Sequence, residues 1–290
     1  KGMGIPVDRW DISPRDEQAP PWDGLDADRR DWEDLRMAVY AAQIDRMDQG
    51  VGRILAALEE TGELDNTLIV FLSDNGGCAE HMAEDTSRPE PHRYDIPTPD
   101  GRPMRIGNIP HLRPGPDDTF MSYDLPWANA SNTPFRRYKH WVHEGGIATP
   151  MIVHWPGRTA EPGGLRHGIT HVMDLMPTFL AAAGVAKPEH HDGTPCPPME
   201  GQSWLPALGD ADWRREGPVF FEHEGNRAVR DGQWKLVALR DGPWELYDMS
   251  EDRTELADLS AAKPDAVAEM SAAYDRWANR VGVLPWPPGQ

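Results

Sequence analysis

Thr67-Leu68-Ile69-Val70-Phe71-Leu72-Ser73-Asp74-Asn75-Gly76-Gly77 is the stretch on which the fold turns. Six consecutive apolar or β-branched residues read as a strand buried on both faces, which is the pattern of a parallel sheet covered by helices. The run stops abruptly at Ser73-Asp74-Asn75-Gly76-Gly77. In open α/β sheets ligands bind outside the carboxyl ends of strands. Asp74 and Asn75 therefore place two hard oxygen donors where a ligand is expected, and such donors suit Ca²⁺ or Mg²⁺. The two glycines allow the backbone to approach a ligand closely. Taken alone the segment also fits a strand-terminating Asx turn.

Upstream, Asp26 or Asp28 is placed to cap a long helix. Leu35, Val39, Ala42, Met47, Val51, Ile54, Leu55 and Leu58 recur mostly at three- and four-residue spacing, and Gly62 ends the pattern. Residues 1–27 form a Pro- and Trp-rich lead-in. Downstream, residues 78–133 lack periodicity, and a loop this long inside a compact domain is functional or disordered. A second buried strand is expected at Pro150-Met151-Ile152-Val153-His154-Trp155, stopped by Pro156-Gly157. Asp174 then caps a helix running to Gly184. From residue 217 the pattern changes. Strand-like runs at 218–223, 226–230, 233–239 and 244–248 are separated by glycine turns, an antiparallel meander. An amphipathic helix follows over 264–280. The expected class is α/β, with residues 1–210 as the body and residues 211–290 as a small module of antiparallel β-sheet and helix.

Composition narrows the function. The chain has 290 residues, 29 Lys plus Arg, 48 Asp plus Glu and a formal charge of −19. Such an acidic chain argues against nucleic acid as a partner. No apolar run approaches the ~18 residues needed to span a bilayer; His171 to Ala186 is interrupted by Asp174 and Pro177. Two cysteines, Cys78 and Cys196, make neither a disulfide scaffold nor a Cys-based metal site. Localisation is not readable. The excess of Pro (29) and Gly (27) predicts long ordered loops.

Arg136-Arg137-Tyr138-Lys139-His140, with His143, is the compact basic island of this acidic chain. A flexible ammonium such as Lys139 binds a tetrahedral anion as a point charge; the plainer reading is a solvated charge run. Gly145-Gly146 signals another close backbone approach. His167 and His171 are four apart and suit a core or surface role better than a metal pair. Glu222-His223-Glu224 lies on an alternating strand, so two of its members face away from the third. Arg88, Arg93, Arg102, Arg105 and Arg113 in the long loop either meet an acidic substrate or solvate the surface. Trp234 and Trp244 are expected to pack the small module.

With these segments in view the chain resembles the type I sulfatases, in particular bacterial arylsulfatases. The resemblance runs through Ala38 to Asp48, Asn66 to Gly77, Asn132-Thr133-Pro134-Phe135-Arg136, Lys139 to Gly146, His154-Trp155-Pro156, Asp174 to Thr178, Glu200-Gly201, Glu222 to Arg230, Trp234 to Val237 and Trp244 to Asp248. It implies an alkaline-phosphatase/sulfatase-like sheet. It also implies a sulfuric ester hydrolase acting on a small-molecule sulfate ester, with Asp74 and Asn75 as ligands of a divalent cation, usually Ca²⁺, and Lys139 as the catalytic and substrate-binding group on the sulfate. The family's nucleophile is a formylglycine made within Cys/Ser-x-Pro-x-Arg. Cys196-Pro197-Pro198-Met199-Glu200 has Glu200 where Arg must stand, and it lies on the wrong side of the metal pair. Ser13-Pro14-Arg15 also lacks the spacing. The family's Asp-Asp metal ligands and Lys-x-His pair are absent too. The expectation is thus the C-terminal portion of an arylsulfatase, with any signal peptide upstream, inactive by itself and weak in metal affinity. The alternatives are a phosphonate monoester hydrolase or phosphodiesterase of the same superfamily, or an inactive pseudoenzyme.

Overall fold

The structure, a computed structural model, describes residues 10–84 and 95–287. Arg88 and Arg93 lie outside the described residues. The chain divides into two compact units. One contains residues 1–54, 75–148 and 250–258; the other contains residues 55–74, 149–249 and 259–290. In chain order the helices and strands are α1 (Ala27–Glu60), β1 (Ile69–Leu72), β2 (Arg105–Ile106), β3 (Thr119–Phe120), α2 (Asp124–Ser131), α3 (Glu144–Ile147), β4 (Met151–His154), α4 (Leu175–Ala183), β5 (His190–His191), β6 (Thr194–Pro195), β7 (Val219–His223), β8 (Asn226–Asp231), β9 (Trp234–Ala238), β10 (Glu245–Asp248) and α5 (Pro264–Val281). None of the described helices is long and apolar enough to cross a membrane.

The first unit is organised by polar contacts. Asp26 caps α1, its Oδ1 accepting from the Arg29 amide at 2.7 Å. The residues that α1 buries are Trp32, Glu33 and Arg36; Met47 and Ile54, expected on the apolar stripe, are exposed. Arg36 is paired with Glu33 at 2.8 Å and donates through Nε to the Ser122 carbonyl at 3.0 Å. Trp32 Nε1 donates to the Leu112 carbonyl and Trp127 Nε1 to the Glu33 carbonyl. The long segment after Gly77 is not structureless. It holds the short parallel pair β2–β3 and helix α2. Two-residue strands and an eight-residue helix with one charged residue carry too little periodicity to show in sequence. Three of its arginines lie beside carboxylates. Arg102 pairs with Asp100 and Asp117, Arg105 with Asp118, and Arg113 lies 3.9 Å from Asp31.

In the second unit β1 pairs with β4, and the pairing is antiparallel, with Phe71 opposite Ile152 and Val70 opposite Val153. Val70, Met151 and Val153 pack on Trp155, Trp204 and Leu208, together with Leu175 and Ala182. Phe71 and Ile152 are 40% and 62% exposed. This corrects the reading of two strands buried on both faces in a parallel sheet. A continuous apolar run shows that both faces tolerate burial, not that a layer covers each. Gly184 takes the left-handed conformation (φ +66°) that ends α4. Its start differs from expectation. A 3₁₀ turn over Val172–Asp174 precedes it, and the Asp174 carboxylate accepts from the His171 amide at 2.8 Å rather than from α4. Asp174, fully buried, also takes the Gln202 amide and pairs with Arg215 at 2.5 Å.

The same unit carries the meander. Its strand order is β10-β9-β8-β7, all antiparallel, within a residue or two of the expected boundaries. Val229, Leu236 and Leu246 form a core with Met270 and Tyr274 of α5, and Trp234, Trp244 and Trp277 pack around it. Pro264 stands in the first turn of α5 and Gly282 (φ +79°) ends it. The reading of Glu222-His223-Glu224 needs correction. β7 ends at His223 and Glu224 turns into positive φ (+52°), so strand alternation stops there. The ligand atoms of His223 and Glu224 lie within 4.8 Å of each other.

Candidate functional site

The strand-end segment and the basic island, 64 residues apart in sequence from Asn75 to Lys139, are fastened together through backbone. The Gly76 amide donates to the Gly146 carbonyl at 3.0 Å, and the Lys139 amide donates to the Gly77 carbonyl at 3.0 Å. Asn132 locks the join with one side chain. Its Oδ1 accepts from the Gly77 amide at 3.0 Å, and its Nδ2 donates to the carbonyls of Gly145 at 2.8 Å and Arg137 at 2.9 Å.

That closeness explains the glycines. A Cβ on Gly76 would collide with the Gly145 carbonyl. One on Gly145 would strike the carbonyls of Arg136 and Arg137, and one on Gly146 that of Trp141. Gly76 thus packs directly on Gly145, while Gly145 and Gly146 pack on the carbonyls of their own loop, a join only glycine permits.

The basic island is an ordered loop rather than a solvated run. Arg137 and His140 adopt positive φ (+68° and +96°), and Tyr138 is 1% exposed. Its hydroxyl donates to Asp16 Oδ2 at 2.7 Å, and burial together with that carboxylate holds the phenol well above its ordinary pKa. Arg137 lies over Trp141. From residues 250–258, Glu255 Oε2 accepts from the Glu144 amide at 2.9 Å and Arg253 pairs with the Glu144 carboxylate at 2.8 Å. Both fix the turn of α3 that carries Gly145 and Gly146.

Lys139 reaches out of this loop. Its Nζ lies 2.6 Å from Glu80 Oε1 and 3.9 Å from Cys78 Sγ, with 38% of the side chain exposed. An ammonium on a rigid backbone, held by an exposed carboxylate, can exchange that carboxylate for another anion. Asp74 is exposed and Asn75 half-buried. Asn75 Nδ2 donates to the Gly76 carbonyl at 2.8 Å. The amide oxygen, the atom a hard cation takes, is thereby on the other limb. A carboxylate and an amide oxygen fit Ca²⁺ or Mg²⁺ in kind but supply only part of the ~6 oxygens such an ion requires.

A formylglycine does not fit the residues present. Cys196 lacks the required Arg and lies in the second unit, beside β6. Cys78, which lies near Lys139, is followed by Ala79-Glu80-His81-Met82 and matches the motif no better. Sequence reasoning assigned no role to Asn132 beyond its place in the resemblance, nor to Glu80; a polar residue in an aperiodic loop gives no signal of which backbone it will meet. His167 is exposed, while His171 accepts the Met173 amide as a cap.

Known proteins share this arrangement of chain. The profile of the sulfatase family matches residues 14–185, and that of the C-terminal region of N-sulphoglucosamine sulphohydrolase matches residues 136–274. An uncharacterized sulfatase of Schizosaccharomyces pombe is 31% identical over 74% of this chain and 38% of its own length. The arylsulfatase of Klebsiella aerogenes is 32% identical over 74% of this chain and 43% of its own. The chain therefore spans less than half the length of these relatives. Among solved structures, Ps i-CgsB in complex with k-i-k-neocarrahexaose superposes with a TM-score of 0.59 at 24% identity, over 88% of this chain and 44% of that one. A protein solved with D-glucosamine-2-N,6-O-disulfate superposes at 0.53 and 20%, over 87% and 42%. These two likenesses speak for the α/β fold of the sulfatase and alkaline-phosphatase type. With the sulfatase profile covering more than half of the chain, the chain belongs to the sulfatase family.

Proposed function

We propose that the protein carrying this chain is a sulfuric ester hydrolase of the arylsulfatase kind, acting on small sulfate esters. One observation supports the reading beyond family membership: the Lys139 amide is bonded to the Gly77 carbonyl, two residues from Asn75, which favours reading the ammonium and the Asn75 amide as parts of one site. Asp74 and Asn75 would hold part of the coordination shell of Ca²⁺ or Mg²⁺; such an ion, when bound, polarises a sulfuryl oxygen. Lys139 would neutralise charge on the sulfuryl oxygens, displacing Glu80 as the ester enters. The glycine join fixes its backbone beforehand, which is what electrostatic stabilisation of a transition state requires. No nucleophile motif is present among these residues. The reading is that the nucleophile and the remaining ligands come from residues beyond this chain, and that the chain alone is inactive and binds Ca²⁺ weakly. Nucleic acid is not a partner of so acidic a surface.

The test is turnover of p-nitrophenyl sulfate and p-nitrophenyl phosphate by the full-length protein, with Ca²⁺ and after chelation. The expected result is sulfate hydrolysis that chelation suppresses and that Lys139→Ala lowers by ~100-fold or more in kcat/KM. Faster hydrolysis of phosphate or phosphonate esters favours the phosphoesterase reading. Turnover by these 290 residues alone, or a Lys139→Ala variant as active as its parent, overturns the assignment.

A further inference from the structure

Five residues beyond Gly76, and one beyond the Glu80 that meets Lys139, an exposed imidazole is built onto a buried support. His81 Nδ1 lies 2.9 Å from Asp124 Oδ2; the His81 side chain is 63% exposed and that of Asp124 12%. Asp124 is held from every side. Its Oδ1 accepts from the Leu125 amide at 2.7 Å, and its Oδ2 accepts from Asn108 Nδ2 at 3.2 Å, with the Arg36 guanidinium 3.9 Å away. Asn108 is fully buried, and its amide bonds the Ala83 carbonyl at 2.8 Å, which anchors the segment bearing His81. Asp124 sits at positive φ (+68°), a conformation with a steric cost that the surrounding contacts must offset. A surface histidine hydrogen bond adds little stability, so a strained, buried carboxylate with this many partners is a costly support for one. It does hold the ring in a set orientation and tautomer. A carboxylate accepts only, so Nδ1 carries the hydrogen, and in the neutral ring Nε2 is the acceptor.

We propose that His81, positioned by Asp124, is a specificity-determining residue that accepts a hydrogen bond through Nε2 from a hydroxyl of the leaving alcohol, and so selects neutral polyhydroxylated sulfate esters of the monosaccharide type. This rests on the sulfatase reading above. Lys139 meets Glu80 at 2.6 Å, so the residue next to Glu80 borders the place of the sulfate group. Glu80 and Glu84 flank His81 in sequence. Glu84 is paired with Arg29 at 2.6 Å, but Glu80, once the ester takes its place on Lys139, disfavours a second anionic group on the leaving side, whereas a hydroxyl satisfies the ring nitrogen. Asp124 acts as a positioning residue.

The experiment compares kcat/KM for glucose 6-sulfate and p-nitrophenyl sulfate in the full-length protein and its variants. The ratio of the two is expected to fall about tenfold in His81→Ala and in His81→Phe, the equivalent of one neutral hydrogen bond. The change should lie in the KM for the sugar. His81→Gln, whose amide oxygen can accept in place of Nε2, should restore most of the ratio. Asp124→Asn should lower it, and the double variant should lose no more than His81→Ala alone, because the two act as a unit. A ratio unchanged in His81→Ala and His81→Phe, or lowered as far in His81→Gln, overturns this proposal while leaving the sulfatase assignment standing. Absence of turnover of either ester by the unmodified protein overturns both.

Discussion

The glycine join around Lys139 and the C-terminal meander are held by opposite means. In the meander, Val229, Leu236 and Leu246 are buried against α5, and the stabilisation grows with apolar area removed from water. Around Lys139 the same task falls to directed bonds: Gly76 to Gly146, Lys139 to Gly77, and three bonds from Asn132. Apolar burial tolerates repacking, because it has no direction. A join made of facing backbones tolerates no added atom. The region around Lys139 thus uses the less tolerant means, and the meander the more tolerant one.

Four measurements sharpen or break that contrast. The largest loss is expected from Leu236→Ala, about 3 kcal/mol of unfolding free energy in a urea titration, from a fully buried leucine. Gly145→Ala comes next, at about 2–3 kcal/mol, since its Cβ must displace the carbonyls of Arg136 and Arg137. A loss below about 1 kcal/mol would mean that the join is loose and would break the comparison. Asn132→Ala removes three bonds to backbone and should cost about 2 kcal/mol. Because it serves the join that Gly145 also serves, the double variant should fall short of the sum; simple additivity would show two independent contacts. The smallest effect is a pH dependence. Burial holds the His171 imidazole below its ordinary 6.5. The unfolded chain therefore protonates first as pH falls, so this contribution is fully present above pH 6.5 and is lost on descent below it, towards the folded-state value. His171→Asn keeps an acceptor for the Met173 amide and should show a smaller drop in Tm between about pH 7.5 and about pH 5.5.

Legibility in sequence follows the same divide. The four meander strands, α1, α5 and their terminating glycines stood out, because local periodicity and turn chemistry fix them. Gly145-Gly146 pointed to a close approach, and the structure supplies its partner in the carbonyls of Arg136, Arg137, Tyr138 and Trp141. The pairing of β1 with β4 was misjudged, because an apolar run does not name its neighbour. Helix α2 was missed, because eight residues in a Pro-rich loop give no clear period. Asn132 and His81 could not be singled out from residues of the same type, since their roles depend on partners tens of residues away.

By itself the sequence determined the local elements, the acidic surface with one basic island, and the identity of Asp74, Asn75 and Lys139 as candidates, because residue type and short-range spacing carry that information. Only the tertiary structure decided that the Lys139 loop is bonded to the strand end, that Glu80 occupies the ammonium, and that a buried Asp124 orients His81. These are long-range contacts between polar groups, and a hydrogen-bond donor in sequence does not say which acceptor the folded chain will bring to it.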